Sequence, residues 1–525
     1  MDKRHTLIFA LFVVCMLVLG SAAAAMAGKN NNNKWDDDDY KNKGQYISDK
    51  NSNQKIKNVI VMVPDGCDQN IQTLARWYLA EEGGEELQLD SMYTGMVSTN
   101  MANSVITGSA AAATAFATGE KTTARFLGVG PRTEDLLSIY DAEDMAEPYA
   151  PIASVLEGAK LEGKATGLVA TSRITHATPA AYAVHIHDRG MDNEIMEHMV
   201  YQDIDVVFGG AERHLITEAD GGEREDGENL TEVLIDEGYN YVTTKTEMEA
   251  IITGKTWGMF ASSHMEAEMN REGTEQPSIA EMTDKAIELL SQDKDGFFLM
   301  VEGSQIDWAG HANDELYMVT DFIAFDDAVK IAVDFAEEDG HTLVIVFPDH
   351  NTGGMTIGNE NTNGAYPELT YTDVSVDEII DPINGGAGES VIGWTTGGHT
   401  GGDVPLYAYG PEKPTGLLDN TELATCVADA FGFNLDEVSE ELFVEVSDAF
   451  AEDWELDTTD AANPVIIING EAELPVSKDI LRIDGTEYDL EGIVVAVPMA
   501  DGDSTLSEDD EFFIPQEAVE IINEM

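Results

Sequence analysis

The stretch Asn58-Val59-Ile60-Val61-Met62-Val63-Pro64-Asp65-Gly66 is an unbroken apolar run that stops at a proline, an aspartate and a glycine. A run this short and this apolar reads as a strand buried on both faces. The run Asn58 to Val63 has counterparts at Gly167 to Thr171, Asp205 to Phe208, Phe297 to Val301 and Thr342 to Phe347, each ending in polar or glycine-rich residues. Between them lie patterns with apolar residues on a helical period, such as Glu315 to Glu337. This alternation predicts an α/β fold with a largely parallel central sheet flanked by helices. In such sheets ligands gather at the carboxyl ends of the strands.

Outward from this core the texture changes three times. At the amino end, Asp2-Lys3-Arg4-His5 precedes an apolar run from Leu7 to Leu19 and a stretch ending Ala25-Met26-Ala27. That pattern reads as a signal peptide over 1–27 and an exported protein, at the cell surface or outside it. A retained membrane anchor is the alternative, although the run is shorter than the ~20 residues a spanning helix needs. Residues 28–57, with tracts Asn30 to Asn33 and Asp36 to Asp39, are too polar to bury a core and read as a disordered tether. The main domain is expected over 58–455, interrupted at 355–392 by an insertion beside the site, where the pattern dissolves into Asn, Gly, Asp and Thr. Residues 456–525 read as a small β-rich C-terminal module, with strands at Val465 to Asn469, Ile480 to Ile483 and Gly492 to Val497. Phe513-Ile514-Pro515 is expected to open a final helix.

The formal charge is −72, from 100 Asp plus Glu against 28 Lys plus Arg in 525 residues, and the acids are spread along the chain. A polyanion is a poor stable partner for such a surface, which argues against nucleic acid. The surface repels itself unless salt screens it, so the composition points to a halophilic host, with an archaeal one compatible. Of three cysteines, Cys15 lies in the signal and Cys67 and Cys426 stand far apart, which excludes a disulfide framework but not a single bridge. Cys67, two residues after Asp65, is expected to be a small buried residue rather than a metal ligand.

Five places set ligand-type side chains at strand ends or in a glycine-rich loop: Asp65; His176 and Thr178; Glu302, with Asp307 and His311 behind it; Asp349 and His350; and His399 in Gly397-Gly398-His399-Thr400-Gly401. Mixed carboxylates and imidazoles suit Zn²⁺, whereas a hydroxyl with carboxylates suits Mg²⁺. Singly, an aspartate after a strand is most often a helix cap. Their joint placement is what argues for metal, and Asp307 and His311, four apart, share a face if that segment is helical. Ser109, in Val105-Ile106-Thr107-Gly108-Ser109 before an alanine-rich stretch, stands where helix N–H groups favour an alkoxide or a phosphate. A plain N-cap serine is the competing reading.

Taken together, Pro64-Asp65-Gly66, Ser109-Ala110-Ala111, His176-Ala177-Thr178-Pro179-Ala180-Ala181, Val301-Glu302-Gly303, Ile306-Asp307, Asp349-His350 and His399-Thr400-Gly401 resemble the alkaline phosphatases in order and spacing. The resemblance runs from about Lys57 to about Phe450. It implies hydrolysis of phosphate monoesters through a phosphoserine on Ser109, with Arg189 clamping the phosphate. It further implies a first Zn²⁺ on Asp307, His311 and His399, and a second on Asp65, Asp349, His350 and Ser109. A third ion, usually Mg²⁺ with Co²⁺ the alternative, would lie on Asp65, Thr178 and Glu302, flanked by His176 and Trp308. The family also implies a homodimer. Gly108 departs from it, since most members carry aspartate there, bonded to the phosphate arginine. A sulfatase would need a C/S-x-P-x-R context, absent around Ser109. A binding protein that kept the fold and lost catalysis is argued against by the complete set of ligands.

Overall fold

In the computed structural model of the chain the described residues are 55–358, 375–385, 391–451, 453–497, 506–508 and 510–524. The expected signal peptide, nearly all of the tether and much of the 355–392 insertion lie outside them.

Strand β1 (Asn58–Pro64) alternates between two cores, as a strand's period of two requires. Val59, Val61 and Val63 face one, with Phe298 and Met300, whereas Ile60 and Met62 face the other, with Phe297, Leu299 and Val301. The sheet has ten strands: β1, β2 (Tyr93–Ser98), β3 (Ala165–Arg173), β4 (Val206–Gly210), β5 (Asn240–Val242), β6 (Thr256–Met259), β7 (Phe297–Gly303), β8 (Thr342–Val346), β9 (Val404–Tyr409) and β10 (Gly416–Asp419). Their spatial order is β10-β2-β9-β8-β1-β7-β3-β4-β6-β5. Strands β8, β1, β7, β3, β4, β6 and β5 run parallel, and β9 is antiparallel to both neighbours. The five expected runs are β1, β3, β4, β7 and β8. Strand β2 escaped the reading because Val97 is its one fully buried residue, so no apolar run marks it.

At the base of the insertion, Met355–Ile357 pairs antiparallel with Ile392–Trp394. The C-terminal strands form a five-stranded antiparallel meander from Trp454–Asp457 to Thr486–Asp489 and a three-stranded sheet of Val495–Val497, Glu511–Ile514 and Val444–Glu445. The last of these lies ahead of the expected boundary at 456, and Val495, Val497 and Phe513 join the main core. A strand's partner is non-local in sequence, so the texture change at 456 could not locate this seam. Phe513 and Ile514 close a strand, and the final helix is Gln516–Asn523.

Candidate functional site

Helix α1 (Ser109–Thr118) is buried along its whole length, which its alanines permit by their size. Gly108, in extended conformation at φ −116°, is the N-cap, so Ser109 is the first helical residue. The N-cap reading of Ser109 is thereby corrected: its hydroxyl is not used in capping. Ser109 is buried, and its Oγ lies 3.3 Å from His350 Nε2.

Around that hydroxyl the ends of β1 and β8 meet. Asp65, Asp349 and His350 are fully buried, with His350 Nε2 3.0 Å from Asp349 Oδ2 and 3.8 Å from Asp65 Oδ1. Gly66, at φ +71°, turns the chain where a Cβ would come 2.7 Å from Asp307 Cα. Its N–H donates to Asp349 Oδ1 at 3.1 Å, locking the two strand ends together. Burial, reinforced by Asp349, Asp307 and Glu302, drives the Asp65 carboxyl well above its ordinary range.

A second group stands in front of the first. Helix α2 (Gln305–Ala312) puts Asp307 and His311 one turn apart, with His311 Nε2 3.4 Å from Asp307 Oδ2. His399 Nε2 lies 3.6 Å from Asp307 Oδ1 and 3.2 Å from His311 Nε2. Both imidazoles are aimed by backbone carbonyls: His311 Nδ1 is 2.7 Å from Gly397 O, and His399 Nδ1 2.8 Å from Thr107 O. Each Nδ1 is thus tied back while each Nε2 points to a common centre. The His350 and His399 rings stack at 3.7 Å, so the two groups adjoin. Asp307 pushes His311 up to about 9.

Behind β1 and β7, single oxygens of Asp65 and Glu302 and a ring nitrogen of His176 lie within 4.8 Å of one another. Thr178, at the start of the turn after β3, is fully buried with its Oγ1 unpartnered. Glu302 Oε2 accepts from Ser304 Oγ at 2.5 Å and Ser172 Oγ at 3.3 Å, which leaves Oε1 free. Burial raises Glu302 to about 7. His176 Nε2 is 2.9 Å from Arg189 Nη2, and burial, then Arg189, depress its pKa strongly. Arg189 faces Asp65, Asp307 and Glu302, whose charges oppose the lowering of its pKa by burial.

Every site residue expected from the sequence therefore falls in one region. Several supporting residues went unread. His264 packs edge-on to Trp308 at 4.3 Å and to His176 at 5.9 Å, and its Nδ1 accepts from Arg173 N–H at 3.0 Å. Thr352 Oγ1 donates to Asp307 Oδ1 at 2.5 Å. Thr352 was findable as the continuation of Asp349-His350, whereas His264 follows β6, which is not among the five expected runs, so no strand-end signal marked it. Cys67 and Cys426 are free and buried.

The buried acids point to cations. Both oxygens of Asp65 and Oε1 of Glu302 have no hydrogen-bond partner and no water access. Carboxylates stripped of water without a counter-charge are strongly unfavourable. Among the described residues three ligand groups adjoin here: Asp307 with His311 and His399, Asp65 with Asp349 and His350, and Asp65 with Glu302 and His176. A further acidic group, Glu197 with Asp226 and Glu228, differs because Arg224 and Lys478 already form ion pairs with it. The first three groups fit metal ions.

The family model for alkaline phosphatase matches residues 56–379. The chain belongs to the alkaline phosphatase family. Among curated relatives, alkaline phosphatase 3 of Bacillus subtilis is 36% identical over 449 residues, covering 74% of this chain and 91% of that protein. The repressible alkaline phosphatase of Saccharomyces cerevisiae is 29% identical, covering 74% of this chain and 84% of its own. Among solved structures, the alkaline phosphatase of the Antarctic bacterium TAB5 superposes with a TM-score of 0.59 at 31% identity, over 73% of this chain and 99% of that one. A variant of that enzyme with a histidine replaced by aspartate has Mg bound in its M3 site. The family's fold is the one described above, its members are metal-dependent, and its activity class is phosphomonoester hydrolysis.

Proposed function

We propose that the chain hydrolyses phosphate monoesters through a phosphoserine on Ser109. The observation that carries this reading is the Ser109 hydroxyl, free of capping and buried 3.3 Å from His350 Nε2. Two Zn²⁺ would be held by Asp307, His311 and His399 and by Asp65, Asp349, His350 and Ser109. A third ion, Mg²⁺ or Co²⁺, would be held by Asp65, Thr178 and Glu302, with His176 and Trp308 beside it. Bound there, the ions would supply charge neutralisation for the phosphoryl group and favour the ionised form of the serine. The chain's own part is positioning. The first-turn N–H groups of α1 face the phosphate, Arg189 binds two of its oxygens, and the Ser109 Oγ forms the new bond to phosphorus as the alcohol leaves in line. Water then cleaves the Oγ–P bond to release inorganic phosphate and restore the hydroxyl.

The acid excess supports a salt-dependent, halophilic protein, and the amino-terminal pattern supports export. A homodimer rests on family likeness alone.

The test is a brief acid quench with labelled substrate. Label should appear on the parent, map to the Ser109 peptide, and be absent from Ser109→Ala. Label on another serine would overturn the assignment.

A further inference from the structure

The metal groups differ in depth, and in-line attack gives that difference a direction. Ser109 lies against the fully buried group, so a leaving oxygen opposite it is sent toward Asp307, His311 and His399, where the His311 side chain is 40% exposed. What surrounds that exit is therefore what a leaving group meets. One side is the loop Gly397-Gly398-His399-Thr400-Gly401-Gly402, whose exposed glycines offer no side chains. Packed against it at Gly401 is the segment that delivers the nucleophile. Val105 and Ile106, at 64% and 43% exposure, are the only consecutive pair among the exposed large apolar side chains of the described residues. They adjoin the exit: Thr107 O holds His399, and a Cβ on Gly401 would come 3.4 Å from Ile106 Cγ1. Beyond its chain neighbours, a Cβ on Gly108 would meet only His399 Cε1, at 4.0 Å, so there is room beside the ligand histidine at that position.

Single exposed aliphatic groups need no explanation, whereas an adjacent pair at the mouth of a site offers a small apolar surface to whatever leaves it. The charge of the chain limits what it contacts. At −72, further negative charge on a substrate is opposed outside the clamp of Arg189. Resting on the phosphomonoesterase reading, we infer that Val105 and Ile106 form an apolar shelf for the leaving group, selecting monoesters of uncharged aliphatic or aromatic alcohols. Contact on an open shelf buries part of each methylene, where full burial of one is worth about fourfold.

The experiment measures kcat/KM for methyl, butyl and hexyl phosphate at fixed high salt, in the parent and in Val105→Ser/Ile106→Ser. The parent should prefer hexyl over methyl phosphate by about tenfold, and the variant by about twofold or less. The readout is a ratio, so a general loss of activity cancels. Competitive inhibition of the parent by methylphosphonate and hexylphosphonate should follow the same order, and needs no variant. A parent without chain-length preference, or a variant that keeps it, overturns the shelf. A variant that keeps the preference but sediments as a smaller species identifies the pair as an interface between copies, which also overturns it. A parent inactive on p-nitrophenyl phosphate as well as on all three esters refutes the phosphomonoesterase reading itself, and the shelf with it.

Discussion

Two neighbouring ligand groups, built from the same residue types and linked by the 3.7 Å stack of His350 on His399, live in different surroundings. Asp65, Asp349 and His350 are sealed, whereas the His311 side chain is 40% exposed and that of His399 18%. Burial makes the inner group depend on its ion, because its carboxylates have no water to turn to. Exposure would let an ion on the outer group exchange with solvent. On the proposed mechanism the inner group would position the nucleophile and the outer one would receive what leaves.

The sharpest way to break this division is to delete one ligand from each side. Asp349→Ala should lower kcat by roughly a thousandfold, because Ser109 and His350 lose the ion that organises them. His311→Ala should be rescued in part by added Zn²⁺, since solvent reaches that position. Steady-state kinetics across a zinc titration would show both. Equal losses with no rescue in either variant would erase the distinction.

Chelation tests the same contrast by stability. Removing the ions should lower the melting temperature, by the equivalent of about 4 kcal/mol for each ion that stands at a thousand times its Kd. Bound metal followed alongside unfolding should leave in two phases, the exposed group first. A melting curve indifferent to chelator would mean that the buried acids are protonated rather than metal-bound.

Salt acts on the rest of the molecule more than on the sealed group. The screening length falls from about 30 Å at 0.01 M to about 3 Å at 1 M. Melting temperature should therefore rise with KCl between these limits, while metal retention by the inner group changes little. A flat or falling melting temperature would contradict the halophilic reading.

The smallest effect is expected at Gly108, between the two groups. Arg189 has its Nη2 on His176. Gly108→Asp finds room, since its Cβ would meet only His399 Cε1 at 4.0 Å. It should tighten inhibition by inorganic phosphate and lower kcat, each by several-fold, because a charge-assisted hydrogen bond contributes about 1.5–3 kcal/mol at most. The new carboxylate also sits at an N-cap, where capping α1 is its competing use. Phosphate inhibition no tighter than in the parent, with a raised melting temperature, would show that it caps the helix and leaves Arg189 alone.

Which parts of this were legible follows from what is local. Chain order alone carried β1, β3, β4, β7 and β8, because strands buried on both faces must be continuously apolar. It carried the ligand types at their ends, and the pairing of Asp307 with His311, because a helix brings residues four apart onto one face. Strand β2, half exposed, left no such mark, and neither did the pairing of Val444–Glu445 with Phe513 and Ile514, which lie on either side of the C-terminal meander in sequence.

What the tertiary structure alone decided is depth and aim. That Asp65 is sealed while His311 meets water, that Gly397 and Thr107 carbonyls turn two imidazoles inward, and that His264 wedges against Trp308 all arise where distant segments pack together. Residue identity sets which ligand a side chain can be. Its dielectric surroundings and direction are set by neighbours that can be hundreds of positions away, and no local pattern encodes them.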